Sequence, residues 1–213
     1  MAAYLEKIED AENYKVLPYR GDDVILPKMT YRDYKRIPDD IRCELINGVI
    51  YMMASPDDMH QWILLELGTQ LKIQLKGKKC TPYVEFDVRL FYTPDESDAT
   101  TVRPDIIVVC DETKVFGKKN CEGPPDFVIE IASDSSQKRD FEYKKLEYEK
   151  AGVKEYWIVC KGTLHRFLLS NSVYKESVFL LKESPRIEVS FLEGCSLDFQ
   201  PIIDRFISAF FQS

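Results

Sequence analysis

The sequence predicts an α/β fold in which a mixed β-sheet is flanked by helices, and three features carry that expectation. An Asn47-Gly48 dipeptide joins the apolar segments Cys43-Glu44-Leu45-Ile46 and Val49-Ile50-Tyr51-Met52-Met53, as the turn of a hairpin would. Two later runs, Ile106-Ile107-Val108-Val109 and Phe127-Val128-Ile129-Glu130-Ile131, have the length and β-branched content of buried strands. Segments of helical period lie before, between and after these strands.

Residues 1–28 show no clear period and read as an N-terminal arm. Thr30-Tyr31-Arg32-Asp33 resembles a capping box that opens a short helix, and Pro38 ends it. After the hairpin, Trp62, Leu65, Leu71 and Leu75, widened by Ile63, Leu67 and Ile73, predict a helix from about Asp58 to Lys76, closed by Gly77. From Tyr83 to Tyr92 the alternation of Val84, Phe86, Val88, Leu90 and Tyr92 with Glu85, Asp87 and Arg89 predicts one strand of period two. Residues 93–101 read as a polar turn, and residues 111–125 as a loop. Ser133-Asp134-Ser135-Ser136 offers N-caps for a helix running to Ala151, where Gly152 ends it. Glu155 to Cys160 and Thr163 to Leu169 predict two strands around Lys161-Gly162, with further strands near Val178 to Leu181 and Ile187 to Phe191. A last helix begins at Pro201 and carries Ile202, Ile203, Phe206, Ile207, Phe210 and Phe211. That stripe either docks on the core or makes the contact of a homodimer or higher homo-oligomer.

A chain of 213 residues that is 45% hydrophobic can bury one core, and no linker divides it. One domain is therefore expected over 29–213, with a core at about 42–161 and a C-terminal elaboration at 162–213. No window approaches the roughly 20 apolar residues of a membrane span, and the N-terminus is acidic without an apolar signal core. A soluble, cytoplasmic protein without membrane contact is the expectation. The six cysteines form no CxxC pair, and they read as reduced core thiols rather than a zinc site or a disulfide frame. A net charge of −7 and a pI near 5.1 argue against the electrostatic footprint of a dedicated DNA-binding protein. P-loop, GxGxxG, GxSxG and HExxH patterns are all missing, which leaves nucleotide cofactors and those hydrolase mechanisms no foothold.

Asp105 and Glu130 stand out because each sits at or within an apolar strand. Burying an unpaired carboxylate costs several kcal/mol, so the two are expected to share a cation, either a metal ion or a basic side chain. On the following helix Lys144 falls on one stripe with Phe141, Tyr148 and Ala151. It either snorkels or bonds Asp140 four residues earlier, or it reaches the carboxylates and a bound phosphate or water.

These residues carry a resemblance. Glu44-Leu45-Ile46-Asn47-Gly48, Met52-Met53-Ala54-Ser55-Pro56 with His60, Arg103-Pro104-Asp105, Asp126-Phe127-Val128-Ile129-Glu130-Ile131 with Ser133, Arg139-Asp140 to Lys144, and Gly152-Val153 with Glu155-Tyr156-Trp157 occur in order over about residues 30 to 161. Together they resemble the PD-(D/E)XK nuclease superfamily, and within it the Uma-type branch of endonucleases. The resemblance implies a restriction-endonuclease-like core, and it implies Mg2+ or Mn2+ bound by Asp105 and Glu130, with nucleic acid, DNA first, as substrate. The superfamily lysine two residues after Glu130 is replaced here by Ala132, and the resemblance transfers its role to Lys144. Glu44 matches the acidic residue of the early hairpin, as a third metal ligand or water-positioning base. His60 matches as a proton donor or phosphate contact, or is structural. Metal-dependent phosphodiester hydrolysis is the leading expectation. The alternatives are a nuclease-fold protein that binds nucleic acid or a protein partner without cutting, and a homo-oligomeric structural protein.

Overall fold

A computed structural model describes residues 28–210 of the chain. Residues 1–27, most of the expected arm, and the side chains of Ile207, Phe210 and Phe211 lie outside the described residues. Helix α1 (Tyr31–Tyr34) begins at Thr30, whose backbone N–H donates to Asp33 Oδ2 at 3.0 Å, half of the capping box. Strands β1 (Cys43–Ile46) and β2 (Val49–Met52) form the hairpin, with Asn47 and Gly48 at φ of 50° and 82° as its two-residue turn. Helix α2 (Asp58–Gln74) follows, then the strands β3 (Thr81–Val84), β4 (Val88–Arg89), β5 (Thr101–Val102), β6 (Ile106–Val109), β7 (Cys121–Glu122) and β8 (Phe127–Ile131). A π-helical turn, Arg139–Lys144, leads into α3 (Lys145–Ala151), which ends at Gly152 with φ of 86°. The chain continues as β9 (Glu155–Cys160), β10 (Thr163–Ser170), β11 (Val173–Leu180), β12 (Arg186–Glu188), β13 (Ser196–Asp198) and α4 (Gln200–Phe210).

The central sheet has six strands in the order β11-β10-β9-β8-β6-β3, antiparallel except for the parallel pair β8 and β9. A five-stranded sheet, β2-β1-β5-β4-β7, and the small pair β12-β13 complete the fold. Period-two alternation makes the central sheet two-faced. Ile106, Val108, Phe127, Ile129 and Trp157 pack against Ile63, Leu67 and Leu71 of α2 and Ile202 and Ile203 of α4. The intervening residues Ile107, Val109, Val128, Tyr156 and Ile158 pack on the other side with Tyr148 of α3 and with Ile46, Val88 and Val102 of the smaller sheet. The C-terminal helix thus docks on the core through Ile202 and Ile203.

Three expectations are corrected. The strand expected from Tyr83 to Tyr92 is two strands in two sheets, because Glu85 adopts φ of 45° and the chain crosses from the central sheet to the smaller one. Arg42 Nη2 holds the Glu85 carboxylate at 2.6 Å, and the Glu85 N–H donates to the Asp105 carbonyl at 2.9 Å. The buried stripe of α2 is Ile63, Leu64, Leu67 and Leu71, continued by Leu75 just past its end, whereas Leu65 and Ile73 are 64% and 69% exposed. The cysteines are not all reduced thiols, since Cys80 and Cys110 form a disulfide while Cys43, Cys121, Cys160 and Cys195 are free and buried. The register explains the bond: Thr81 lies opposite Val109, so one step further sets Cys80 opposite Cys110.

Candidate active site

The register of β6 and β8 builds the floor of the site. Ile106 pairs with Ile129, and the next step along this antiparallel pair sets Asp105 opposite Glu130. Alternation turns both carboxylates to the face that carries Ile107 and Val128. Asp105 Oδ2 accepts the Ile131 N–H at 2.6 Å, so the strand end itself fixes that carboxylate. Its other oxygen, Oδ1, lies 3.0 Å from His60 Nε2. His60 is in the first turn of α2, where its N–H donates at 2.8 Å to the side chain of the N-cap Asp57.

The π-helical turn brings the rest. Lys145 N–H donates back to the Asp140 carbonyl five residues earlier, and that carbonyl also accepts the Tyr156 hydroxyl at 3.1 Å. Both Asp140 and Lys144 consequently face inward and are 2% exposed. The Lys144 ammonium stands 2.7 Å from Glu44 Oε1, 2.9 Å from Glu130 Oε1 and 3.7 Å from Asp140 Oδ1. Tyr148, one turn further on, donates its hydroxyl to Glu130 Oε1 at 2.9 Å. Glu44 is fully buried on β1, where it accepts the Arg103 N–H at 2.8 Å and lies 3.1 Å from Arg139 Nε.

Three carboxylates, Glu44, Glu130 and Asp140, thus surround one lysine, with Asp105, Arg139 and His60 on the flanks. Burial pushes the Glu130 carboxyl well above its ordinary range, Lys144 pulls it back, and Asp140, Asp105 and Glu44 push it up again. Asp140 is pushed up to about 6, chiefly by burial against the pull of Lys144. Burial works against the charge of Lys144, but Glu130, Glu44 and Asp140 outweigh it and hold the pKa of the amine above its usual value. His60 is raised likewise, with burial overcome by Asp105. Asp140 Oδ1 is buried without a hydrogen-bond partner. The cluster therefore sets four carboxyl groups against three basic ones, Lys144, Arg139 and His60.

Asp105, Glu130, Asp140, Lys144 and His60 open on one cleft of about 420 Å3, walled by residues 53–57 and 133–136 and by Arg42, Arg103 and Arg139. Glu44 is not on its surface; it stands behind Lys144. Among the described residues no three of the types His, Cys, Asp and Glu converge as a ready-made metal cage. The donor chemistry nonetheless fits a hard cation held by two carboxylates and water, since both hydrogen bonds to Glu130 fall on Oε1 and leave Oε2. Sequence reasoning treated Asp140 only as a local partner for Lys144 and Tyr148 only as core. The position of Asp140 on the Lys144 stripe was the available signal. Asp87, on the other side of Arg103, accepts its guanidinium at 2.6 and 3.0 Å and takes no part.

With the geometry established, comparison with known proteins places the chain. The profile of the Uma2 family, described as "Putative restriction endonuclease", matches residues 30–200. A solved structure of a "putative nuclease" from Anabaena variabilis superposes with a TM-score of 0.66 at 19% identity, over 83% of this chain and 98% of that one, and so shares the restriction-endonuclease-like fold. No curated protein matches. The chain belongs to the Uma2 family.

Proposed function

We propose that this protein hydrolyses phosphodiester bonds of nucleic acid, DNA in the first instance, with a divalent cation, Mg2+ or Mn2+, held by Asp105 and Glu130. The observation that supports this most is the juxtaposition of those two carboxylates across β6 and β8, at the floor of a cleft where acidic groups outnumber basic ones around Lys144. A divalent ion there would polarise a phosphate oxygen and acidify a water molecule.

The chain's own groups supply the remainder. Lys144 holds a full positive charge at the cleft floor, where the charge of a phosphate under attack grows, and it does so without reorganising because Glu44 and Glu130 fix it. Glu44 acts through Lys144 as a positioning residue. His60 orients Asp105 through the 3.0 Å contact to Oδ1, and Tyr148 orients Glu130. Arg42, Arg103 and Arg139 on the cleft wall offer guanidinium groups to the flanking phosphates.

The test combines a thermal and a catalytic readout. Mn2+ is expected to raise the melting temperature and to stimulate cutting of DNA, and Asp105→Asn is expected to remove both effects. Salt-sensitive DNA binding with no metal-stimulated cutting would favour the non-cutting alternative instead.

A further inference from the structure

One acid of the cluster has no task in the hydrolytic reading above, and the inference that gives it one rests on that reading. Asp105 accepts the Ile131 N–H on Oδ2, and its Oδ1 lies 3.0 Å from His60. Glu130 accepts both Lys144 and Tyr148 on Oε1. Glu44 stands behind Lys144, with Oε1 2.7 Å from the amine and Oε2 3.1 Å from Arg139, and it does not line the cleft. Asp140 does line the cleft, and its Oδ1 is buried without a hydrogen-bond partner. Leaving a buried acceptor without a donor is costly, which points to a donor that arrives through the cleft.

The backbone holds this carboxylate in place. The Asp140 N–H donates to the Ser136 carbonyl at 3.0 Å, and the Asp140 carbonyl accepts the Lys145 N–H and the Tyr156 hydroxyl. π-helical turns of this kind are frequent at functional sites. Lys144 Nζ lies 3.7 Å from Asp140 Oδ1, beyond hydrogen-bond length. A water in front of the two can therefore receive an N–H from the amine and turn its own O–H to the carboxylate. Burial also pushes the Asp140 carboxyl up to about 6, against the pull of Lys144. It is thus a stronger proton acceptor than an ordinary carboxylate, while still mostly ionised at neutral pH.

We propose that Asp140 is the general base of the reaction, its Oδ1 taking the proton of the water that attacks the phosphodiester. The water oxygen forms a bond to phosphorus as its proton passes to Oδ1. The bond from phosphorus to the leaving oxygen breaks with its electron pair on that oxygen, which takes a proton from solvent. Asp140 then returns its own proton to solvent. Lys144 orients the water, and Asp105 and Glu130 keep the cation, so the acids of the cleft divide between two tasks.

The experiment compares the full native chain with Asp140→Asn and Asp140→Ala, using Mn2+ and DNA in single- and double-stranded form, with thermal melts to verify folding. Both variants are expected to cut roughly 10²–10⁴-fold more slowly. Calorimetric Mn2+ affinity is expected to change by less than about threefold. Acetate and chloroacetate, alike in shape and unlike in basicity, are expected to restore cutting by Asp140→Ala in proportion to their concentration, acetate the more strongly. If Asp140→Ala melts below the assay temperature, Asp140→Ser takes its place in the rescue. A roughly tenfold or greater loss of Mn2+ affinity in Asp140→Asn would make the residue a cation ligand and overturn the inference. Unchanged cutting overturns it too, and so does rescue that is absent or equal for the two acids, the result expected of a residue that only holds Lys144. Each of these leaves the hydrolytic reading standing. If Mn2+ stimulates no cutting by the native chain, both fall together.

Discussion

Two buried ionic clusters among the described residues are built differently. Arg89 and Asp98 form a closed pair: Arg89 Nε donates to Asp98 Oδ2 at 3.0 Å, Nη2 donates to Asp98 Oδ1 and to the Thr93 carbonyl, and the Thr93 hydroxyl adds a bond at 3.1 Å to the same carboxylate. The Arg89 guanidinium also lies between the rings of Tyr31 and Tyr92, 3.9 and 4.5 Å from their centroids. One acid meets one base, and the pair ties β4 to the turn before β5. Around Lys144 three acids meet one amine, a fourth stands nearby, two carboxylate oxygens, Glu44 Oε2 and Asp140 Oδ1, have no hydrogen-bond partner, and the group faces a cleft. Burial of charge alone therefore does not mark a functional site. The group around Lys144 differs in leaving acids unmatched at a cleft, where a fold that needed only stability would satisfy such groups or replace them with apolar ones, and this difference supports the proposed site.

Substitutions can break this contrast. The largest effect is expected at Glu130→Gln, which should lower metal-dependent cutting by roughly 10²–10³-fold while leaving the melting temperature equal or higher, since a disfavoured buried charge is removed. Parallel cleavage assays and thermal melts read both. Asp98→Ala should do the reverse. Stranding Arg89 without its partner costs about 3–5 kcal/mol in a urea titration, with the activity of the folded fraction retained. Next comes pH. The folded chain holds the Asp140 proton up to about pH 6, against an ordinary value of 3.8, so it binds more protons than the unfolded chain between those values and loses stability as pH rises through them. Asp140→Asn should remove that decline, on the order of 2 kcal/mol, from stability measured between pH 4 and 7. The smallest effect is expected at Tyr148→Phe. Losing one hydrogen bond to Glu130 should cost about 1 kcal/mol of stability, and a larger loss in Mn2+ affinity than in stability would mark Tyr148 as an orienting group.

What was legible in the sequence was local. Asn47-Gly48 announced its hairpin because the turn demands positive φ at both positions, and the apolar runs around Ile107 and Ile129 announced their strands. Glu130 and Lys144 stood out because each interrupts an apolar stripe. What was hidden depends on register and on distant partners. The alternation from Tyr83 to Tyr92 is intact, yet Glu85 leaves the strand conformation where Arg42 and the Asp105 carbonyl hold it. Cys80 and Cys110, thirty residues apart, meet only because Thr81 faces Val109. Within the site, the opposition of Asp105 and Glu130 is a fact of β6 and β8 pairing. Asp140 could be read only as a local partner of Lys144, because an acid four residues before a lysine is ordinary on any helix, and only the burial of the π-helical turn makes it unusual here. Glu44 was visible as the lone acid of its strand, but its station behind Lys144 follows from the pairing of the two sheets.

The central claim is that Asp105 and Glu130 together hold a divalent cation. Calorimetric titration of Mn2+ into the full chain at neutral pH, with Asp105→Asn and Glu130→Gln alongside, tests it most directly. One saturable site in the native chain that is lost in both variants is the predicted result. No heat of binding in the native chain, or an unchanged site in either variant, would contradict it.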